Sequence, residues 1–283
     1  MSVRALLALA AALLLAACGE PARDWPAPSP ALWQVTSPEG RHGWLFGTIH
    51  ALPAEVRWRT PALEEALAES GVLVAEVAEL GDADKAAAAF DRYARGERLP
   101  PLSRRVAPND RADLAAFLDR ADSSEGEFAG LDTWAAALVA ANRTRRLDAS
   151  QNVDRALIAE AGEVVGLESH AVQYAMFDAL PAEEQADLLM ALARDAGGEV
   201  GRIEAWLTGD LATLEAAGEA LLADAELRAA LQTDRNLRWA PIIAELVERG
   251  RRPFVAVGTG HLFGSQSLPA LLEARGYTVR RIQ

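Results

Sequence analysis

The chain has 283 residues, of which 51% are hydrophobic, and its formal net charge is −13. This length and hydrophobic content favour one large packed domain and exclude a disordered chain. The acidic excess argues against nucleic acid as a partner, and the single cysteine excludes an intramolecular disulfide.

The start of the chain has the pattern of a bacterial lipoprotein signal peptide. A short basic start ending at Arg4 precedes an Ala/Leu run that closes with Leu15-Ala16-Ala17-Cys18. The run is too short to span a bilayer as a mature helix, and its last four residues resemble a lipobox. We therefore predict a signal peptide over residues 1–17 and a lipid anchor on Cys18. Because a glycine and not an aspartate follows the cysteine, the prediction is an outer-membrane location facing the periplasm if the cell is Gram-negative.

The next segment, residues 18–31, contains four prolines and is predicted to be a semi-rigid tether. Residues 32–283 then form the domain. Its predicted strands, in chain order, are 33–35, 43–46, 72–77, 163–167, 254–257 and 277–282. Helices are expected after Thr60, over most of residues 84–160 and between Pro181 and Gly250. This order predicts an α/β (α+β) fold, with a central mixed sheet and large helical insertions.

Two of the four histidines lie in nearly identical settings. Gly47-Thr48-Ile49-His50 and Gly258-Thr259-Gly260-His261 each follow an apolar run. A glycine just past a strand lets the backbone turn sharply, so both imidazoles are expected at the strand ends where open α/β sheets place their ligands. The alternative is that both histidines are satisfied in tight turns without a shared role.

Two acidic residues are associated with the ends of other apolar segments, Glu76 after residues 72–75 and Glu168 after residues 164–167. A carboxylate there is costly to bury unless a cation, a metal or several donors meet it. An exposed strand end or an arginine salt bridge remains an alternative for each. Together with His50 and His261, these carboxylates form a ligand set suited to Zn, Mn, Co or Fe(II). We predict a metal site held by the two histidines and Glu76.

These motifs resemble those of the TraB/PrgY/GumN family. The resemblance covers nearly all of the predicted domain and is carried by segments 45–53, 166–169, 180–185, 234–236 and 257–264, with Glu76 and Gln173. The family includes the animal Tiki proteins, described as metal-dependent proteases that use the paired Gly-x-x-His histidines and acidic residues, with Mn or Co favoured. The resemblance implies a metal-dependent hydrolase that acts on a peptide or protein.

Site roles follow if the chain is an enzyme. A metal-bound water would have its pKa lowered to about 7, as in zinc enzymes. Glu76 and Glu168 are candidates for ligand and general base, in either order. Arg235 is expected to stabilise an oxyanion, to anchor a substrate carboxylate, or to pair with one of these glutamates. Asn236 is a candidate for substrate binding. His170 departs from the family pattern and is expected to be a surface side chain or a spare ligand.

A second class of function remains open. A lipid-anchored domain with two histidines in a cleft is also compatible with a non-catalytic, regulatory protein that binds a peptide, a metal or haem. The neighbouring carboxylates favour a metal ion over haem, whose site is typically apolar with few acids. The sequence does not decide the substrate, the ion or the oligomeric state.

Overall fold

The computed structural model describes residues 23–96, 99–145, 151–195 and 198–283. The strands are β1 (Leu32–Thr36), β2 (His42–Thr48), β3 (Val72–Val77), β4 (Val164–Glu168), β5 (Pro253–Gly258) and β6 (Thr278–Arg281). The helices up to β4 are α1 (Pro61–Glu69), α2 (Ala83–Tyr93), α3 (Arg111–Arg120), α4 (Thr133–Thr144) and α5 (Val153–Glu160). Those after β4 are α6 (His170–Asp178), α7 (Ala182–Arg194), α8 (Glu199–Thr208), α9 (Leu211–Leu221), α10 (Ala225–Arg228), α11 (Asp234–Glu248) and α12 (Leu268–Glu273). The predicted signal peptide and Cys18 lie outside the described residues.

The six strands form one mixed sheet in the order β4-β3-β5-β2-β1-β6. The first four are parallel to one another, whereas β1 is antiparallel to both β2 and β6. The predicted α/β fold with a central mixed sheet is therefore confirmed. Each predicted strand agrees with an observed one to within two residues at either end.

Both faces of the sheet are covered. Successive residues of an inner strand point to opposite faces, so Leu45 contributes to one core and Phe46 to the other. Helices α11 and α12 pack on the first face, and α1, α5 and α8 on the second. Burial on both faces explains why the inner parallel strands are continuous apolar runs. A helical lobe made mainly of α2, α3, α4 and α7 has its own apolar core around Trp134 and Phe117.

Local signals fix several helix starts. Thr60 caps α1 by accepting a hydrogen bond from the backbone of Leu63, and Pro61 occupies the first turn, as predicted. A π-helical turn, Ala229–Thr233, joins α10 to α11 without a break in the helical path, and a 3₁₀ turn, Thr259–Leu262, follows β5.

Among the described residues, no helix is both long and apolar enough to cross a membrane.

The described part of the predicted tether is packed against the domain. The Ser29 amide donates to the Leu207 carbonyl at the end of α8, and Arg23 pairs with Glu204 on the same helix. Ala31 is buried, and Trp25 packs against the core beneath α8. These apolar side chains and polar contacts hold residues 23–31 of the predicted tether to the domain surface.

Candidate active site

The two Gly-Thr-x-His turns lie side by side because β2 and β5 are parallel neighbours. Thr48 pairs with Gly258 in the strand register, and the Thr259 hydroxyl donates to the Thr48 carbonyl at 2.9 Å. A Cβ atom on Gly47 would come within 2.8 Å of the Thr259 Oγ1. A side chain at Gly47 would therefore disrupt the contact between the two turns, which gives this repeated glycine a packing role.

His50 is held by a buried aspartate on α5. Its Nδ1 lies 3.1 Å from one carboxylate oxygen of Asp154, whose other oxygen accepts from the Thr48 hydroxyl at 2.7 Å. Since a carboxylate only accepts, Nδ1 carries the proton and Nε2 presents its lone pair. The same hydrogen bond raises the pKa of His50 above its usual 6.5. The imidazole is 56% exposed, so solvent and ligands can reach it.

His261 is held in the same way but is buried. Its Nδ1 lies 2.7 Å from Asn236 Oδ1, and the Asn236 amide nitrogen donates to the Gln266 carbonyl, which fixes the orientation of the amide. Nδ1 of His261 is therefore the protonated nitrogen, and Nε2 faces the site, 3.8 Å from Glu76 Oε1. Burial lowers the pKa of His261 to about 4, so this imidazole is neutral at neutral pH.

Arg235 on α11 links the two glutamates. It donates to Glu76 Oε2 at 2.6 Å and, through Nε and a terminal nitrogen, to both oxygens of Glu168 at 3.0–3.2 Å. Its other terminal nitrogen lies 3.3 Å from His261 Nε2, and the guanidinium stacks over Trp239. Of the predicted roles for Arg235, the structure shows the pairing role, and with both glutamates at once.

The charge state of Glu76 follows from these contacts. Burial by itself would raise the pKa of Glu76, but the two histidines, Arg235 and the Gly258 amide outweigh it and lower the pKa to about 2. The Gly258 amide donates to Glu76 Oε1 at 2.8 Å. Glu76 is therefore fully ionised in the folded protein.

The three predicted metal ligands converge on Gly258. A Cβ atom there would lie 3.1 Å from Glu76 Oε1, 3.9 Å from His50 Nε2 and 3.9 Å from His261 Cδ2. Their ligand atoms nevertheless do not all lie within 4.8 Å of one another. Among the described residues that spacing occurs instead in an acidic group of the helical lobe, Glu184, Asp224 and Glu226. His50, Glu76 and His261 therefore border the same space, but their ligand atoms lie farther apart than those of a site that already encloses an ion.

Two predicted residues have different surroundings from those expected. Asn236 is fully buried, and its amide is committed to His261 and Gln266, so it orients His261 and has no group left for a substrate. His170 is buried at the start of α6, stacked on Tyr174, with Nε2 3.2 Å from the Glu79 carbonyl. It is neither a surface residue nor a spare ligand, because its ring packs between α6 and the segment after β3.

Sequence reasoning missed Asp154. This residue lies in the first turn of α5, where acidic side chains are common because they interact favourably with the helix dipole. It is 104 residues from His50 in the chain. One feature of the sequence could have singled out Asp154. It lies next to the core residue Val153, on the apolar side of α5, where a solvent-exposed acid is not expected.

The four parallel strands bring the paired histidines and the two glutamates together at their carboxyl ends, and α11 adds the buried Arg235. The chain is therefore an α/β protein with a polar site at its strand ends. The model of the TraB/PrgY/gumN family matches residues 31–281, and the chain belongs to this family. Neither the curated proteins nor the solved structures contained a match.

Proposed function

We propose that this chain is a divalent-metal-dependent hydrolase acting on peptides, with the ion held by His50, His261 and Glu76. One observation carries the proposal. Each histidine gives its Nδ1–H to an oxygen acceptor, Asp154 or Asn236, and turns its Nε2 toward the space beside Glu76. Metal-binding histidines in proteins are typically oriented in this way.

The protonation states of the donors also fit a metal. At neutral pH His261 is neutral and Glu76 is ionised, which are the forms that bind cations. His50 must lose a proton that Asp154 stabilises, so metal uptake should weaken as the pH falls. A bound ion would supply a water of lowered pKa as the nucleophile.

The remaining residues divide the other roles. A carboxylate with a pKa of about 2 is a weak base, so Glu76 suits a ligand better than a general base. Both oxygens of Glu168 accept from Arg235, which makes Glu168 a positioning residue for the guanidinium. Arg235, whose donors go to the two glutamates, the Leu231 carbonyl and His261, would act by placing a fixed positive charge beside the ligands.

A binding protein without turnover is the second candidate, and one observation favours it. Arg235 already neutralises both glutamates and contacts His261 Nε2, so these groups are satisfied by the protein alone. In that case the site would bind a peptide or a metal in a regulatory role. Haem fits less well, because the three carboxylates of Glu76, Asp154 and Glu168 surround the histidines.

Metal analysis and peptide cleavage separate the two candidates. His50→Ala and His261→Ala should each reduce bound Mn, Co or Zn substantially, while His42→Ala, at the opposite end of β2, should not. Equal metal in all three variants would eliminate the proposed ligands. Glu76→Gln replaces an anionic ligand with a neutral amide, so it should lower both the bound metal and the metal-stimulated peptidase activity, the latter by roughly a hundredfold, with the circular dichroism spectrum unchanged. If a broad peptide and ester screen finds no turnover but tight ligand binding, the protein is the binder.

A further inference from the structure

A cavity borders the site on the side of the His261 turn. It has a volume of about 380 Å³ and lies between α9, the π-helical turn before α11 and the loop at residues 260–266. His261 itself is part of its wall. The cavity therefore adjoins the predicted metal ligands without being formed by them.

The wall of this cavity carries an excess of negative charge. Glu215 and Glu219, one helical turn apart on α9, both line it, and neither has a hydrogen-bond or ion-pair partner among the described residues. The cation on the wall, Arg228, uses its Nε to donate to the Leu222 carbonyl at 2.9 Å. Two carboxylates thus face one guanidinium, and the cavity is electrostatically suited to a positively charged group.

Part of the wall is apolar and is held in place by its neighbours. Leu222, Leu231 and Phe263 line it, and Phe263 packs so closely on α9 that a Cβ on Gly218 would lie 3.2 Å from its ring. The Gln232 side chain donates to the Gly260 carbonyl and ties the loop to the π-helical turn. Apolar walls with carboxylates suit a side chain that has an aliphatic stem and a cationic head.

On the basis of the proposed peptidase function, we propose that this cavity is the substrate subsite for a lysine or arginine side chain, with Glu215 and Glu219 as specificity-determining residues. The aliphatic part of the side chain packs on Leu222 and Phe263, and its cationic head meets the two carboxylates. Because His261 belongs to both the cavity wall and the metal site, the selected residue lies close to the bond that is cleaved.

The test uses acetylated peptides that differ at one position, with arginine, norleucine or glutamate there. We expect kcat/KM for the arginine peptide to exceed that for the norleucine peptide by roughly tenfold, the scale of one hydrogen bond to a charged group. The double variant Glu215→Gln/Glu219→Gln should lose this preference, so that the ratio of kcat/KM for the arginine and norleucine peptides falls to about one. Glu215→Lys/Glu219→Lys should prefer the glutamate peptide.

A matched control removes the same charge elsewhere. Glu65→Gln/Glu69→Gln changes two exposed glutamates with the same spacing on α1, away from the cavity, and should keep the arginine preference. Equal rates for arginine and norleucine peptides in the wild type, or a preference that persists in Glu215→Gln/Glu219→Gln, would overturn the subsite while peptidase activity stands.

Failure of the proposed function has a different outcome, since then no peptide is cleaved. Calorimetry with the same acetylated peptides still decides the subsite. The wild type should bind the arginine peptide roughly tenfold tighter than the norleucine peptide, and Glu215→Gln/Glu219→Gln should not. Equal binding of both peptides by the wild type would contradict the subsite independently of catalysis.

Discussion

Replacing Arg235 with methionine tests whether the buried guanidinium holds the site together. Arg235 is 8% exposed and donates to Glu76 at 2.6 Å and to Glu168 at 3.0 Å. Methionine is a long unbranched side chain without charge, so the variant leaves two buried carboxylates without their cation. Removing one partner of a buried ion pair typically costs about 3–5 kcal/mol. For a domain of this size we expect the melting temperature to fall by roughly 6 to 20 °C.

The loss should depend on pH in a defined direction. In the wild type the pKa of Glu76 is lowered from 4.5 to about 2, so its ionised form contributes stability that is present above pH 4.5 and lost as the pH falls toward 2. A shift of this size corresponds to about 3 kcal/mol. In Arg235→Met the part of this contribution that comes from the guanidinium is removed, whereas the two histidines and the Gly258 amide remain. The two stability curves should therefore lie farthest apart at neutral pH and converge in acid.

Urea unfolding followed by circular dichroism at pH 7.5 and at pH 3.5 measures this difference. Arg238→Met is the matched control, because Arg238 lies on the same helix, 3.6 Å from Glu168, but is 54% exposed. Although Glu168 is buried, solvent around the exposed Arg238 guanidinium screens this pair, so we expect it to contribute only about 0–1 kcal/mol. If Arg235→Met is no less stable than Arg238→Met, or if its deficit is the same at both pH values, the guanidinium does not compensate the buried carboxylates.

Three further predictions concern other parts of the chain. Asp154→Asn should bring the pKa of His50 down toward its usual value in an NMR titration, because the carboxylate hydrogen bond that raises it is lost; an unchanged pKa would contradict the assignment. Burial and the neighbouring Asp224 raise the pKa of Glu184 to about 7, so Glu184→Gln should stabilise the protein in thermal unfolding at pH 8, by no more than about 1 kcal/mol because solvent screens this partly exposed group. The gain should disappear below pH 4.5, where the glutamate is protonated in both states. Cys18→Ser should abolish incorporation of radiolabelled palmitate, and labelling that survives would refute the predicted lipid anchor.

The inner strands were predictable from the sequence because their residues are apolar on both faces. Leu45 and Phe46 point to opposite faces of the sheet, and both are buried. Burial of two successive strand residues is typical of an inner strand that is covered on both faces. The convergence of His50 and His261 was also predictable, since each follows a glycine at a strand end. Strand order was not, because the pairing of β2 with β5 joins segments about 200 residues apart and leaves no local pattern.

The polar contacts of the site were less accessible to sequence reasoning. Asp154 looks like an ordinary first-turn acid, and the sequence allowed Arg235 to pair with either glutamate or with a substrate. The tertiary fold determined the partners of both Asp154 and Arg235, because a buried charged group is costly without polar partners and those partners come from distant parts of the chain. For the same reason Asn236 became a support for His261 although its residue type suits substrate binding equally well.

The packing of residues 23–31 limits how far the domain can move if Cys18 carries the predicted lipid. Five residue steps separate Cys18 from Arg23, which is paired with Glu204 on α8. A chain spans at most about 3.6 Å per residue, so this connection reaches no more than roughly 18 Å. A lipid on Cys18 would therefore hold α8 close to the bilayer through this short peptide segment. A substrate would have to come to the membrane surface to be reached, and distance from the bilayer would select among substrates before any side-chain contact is made.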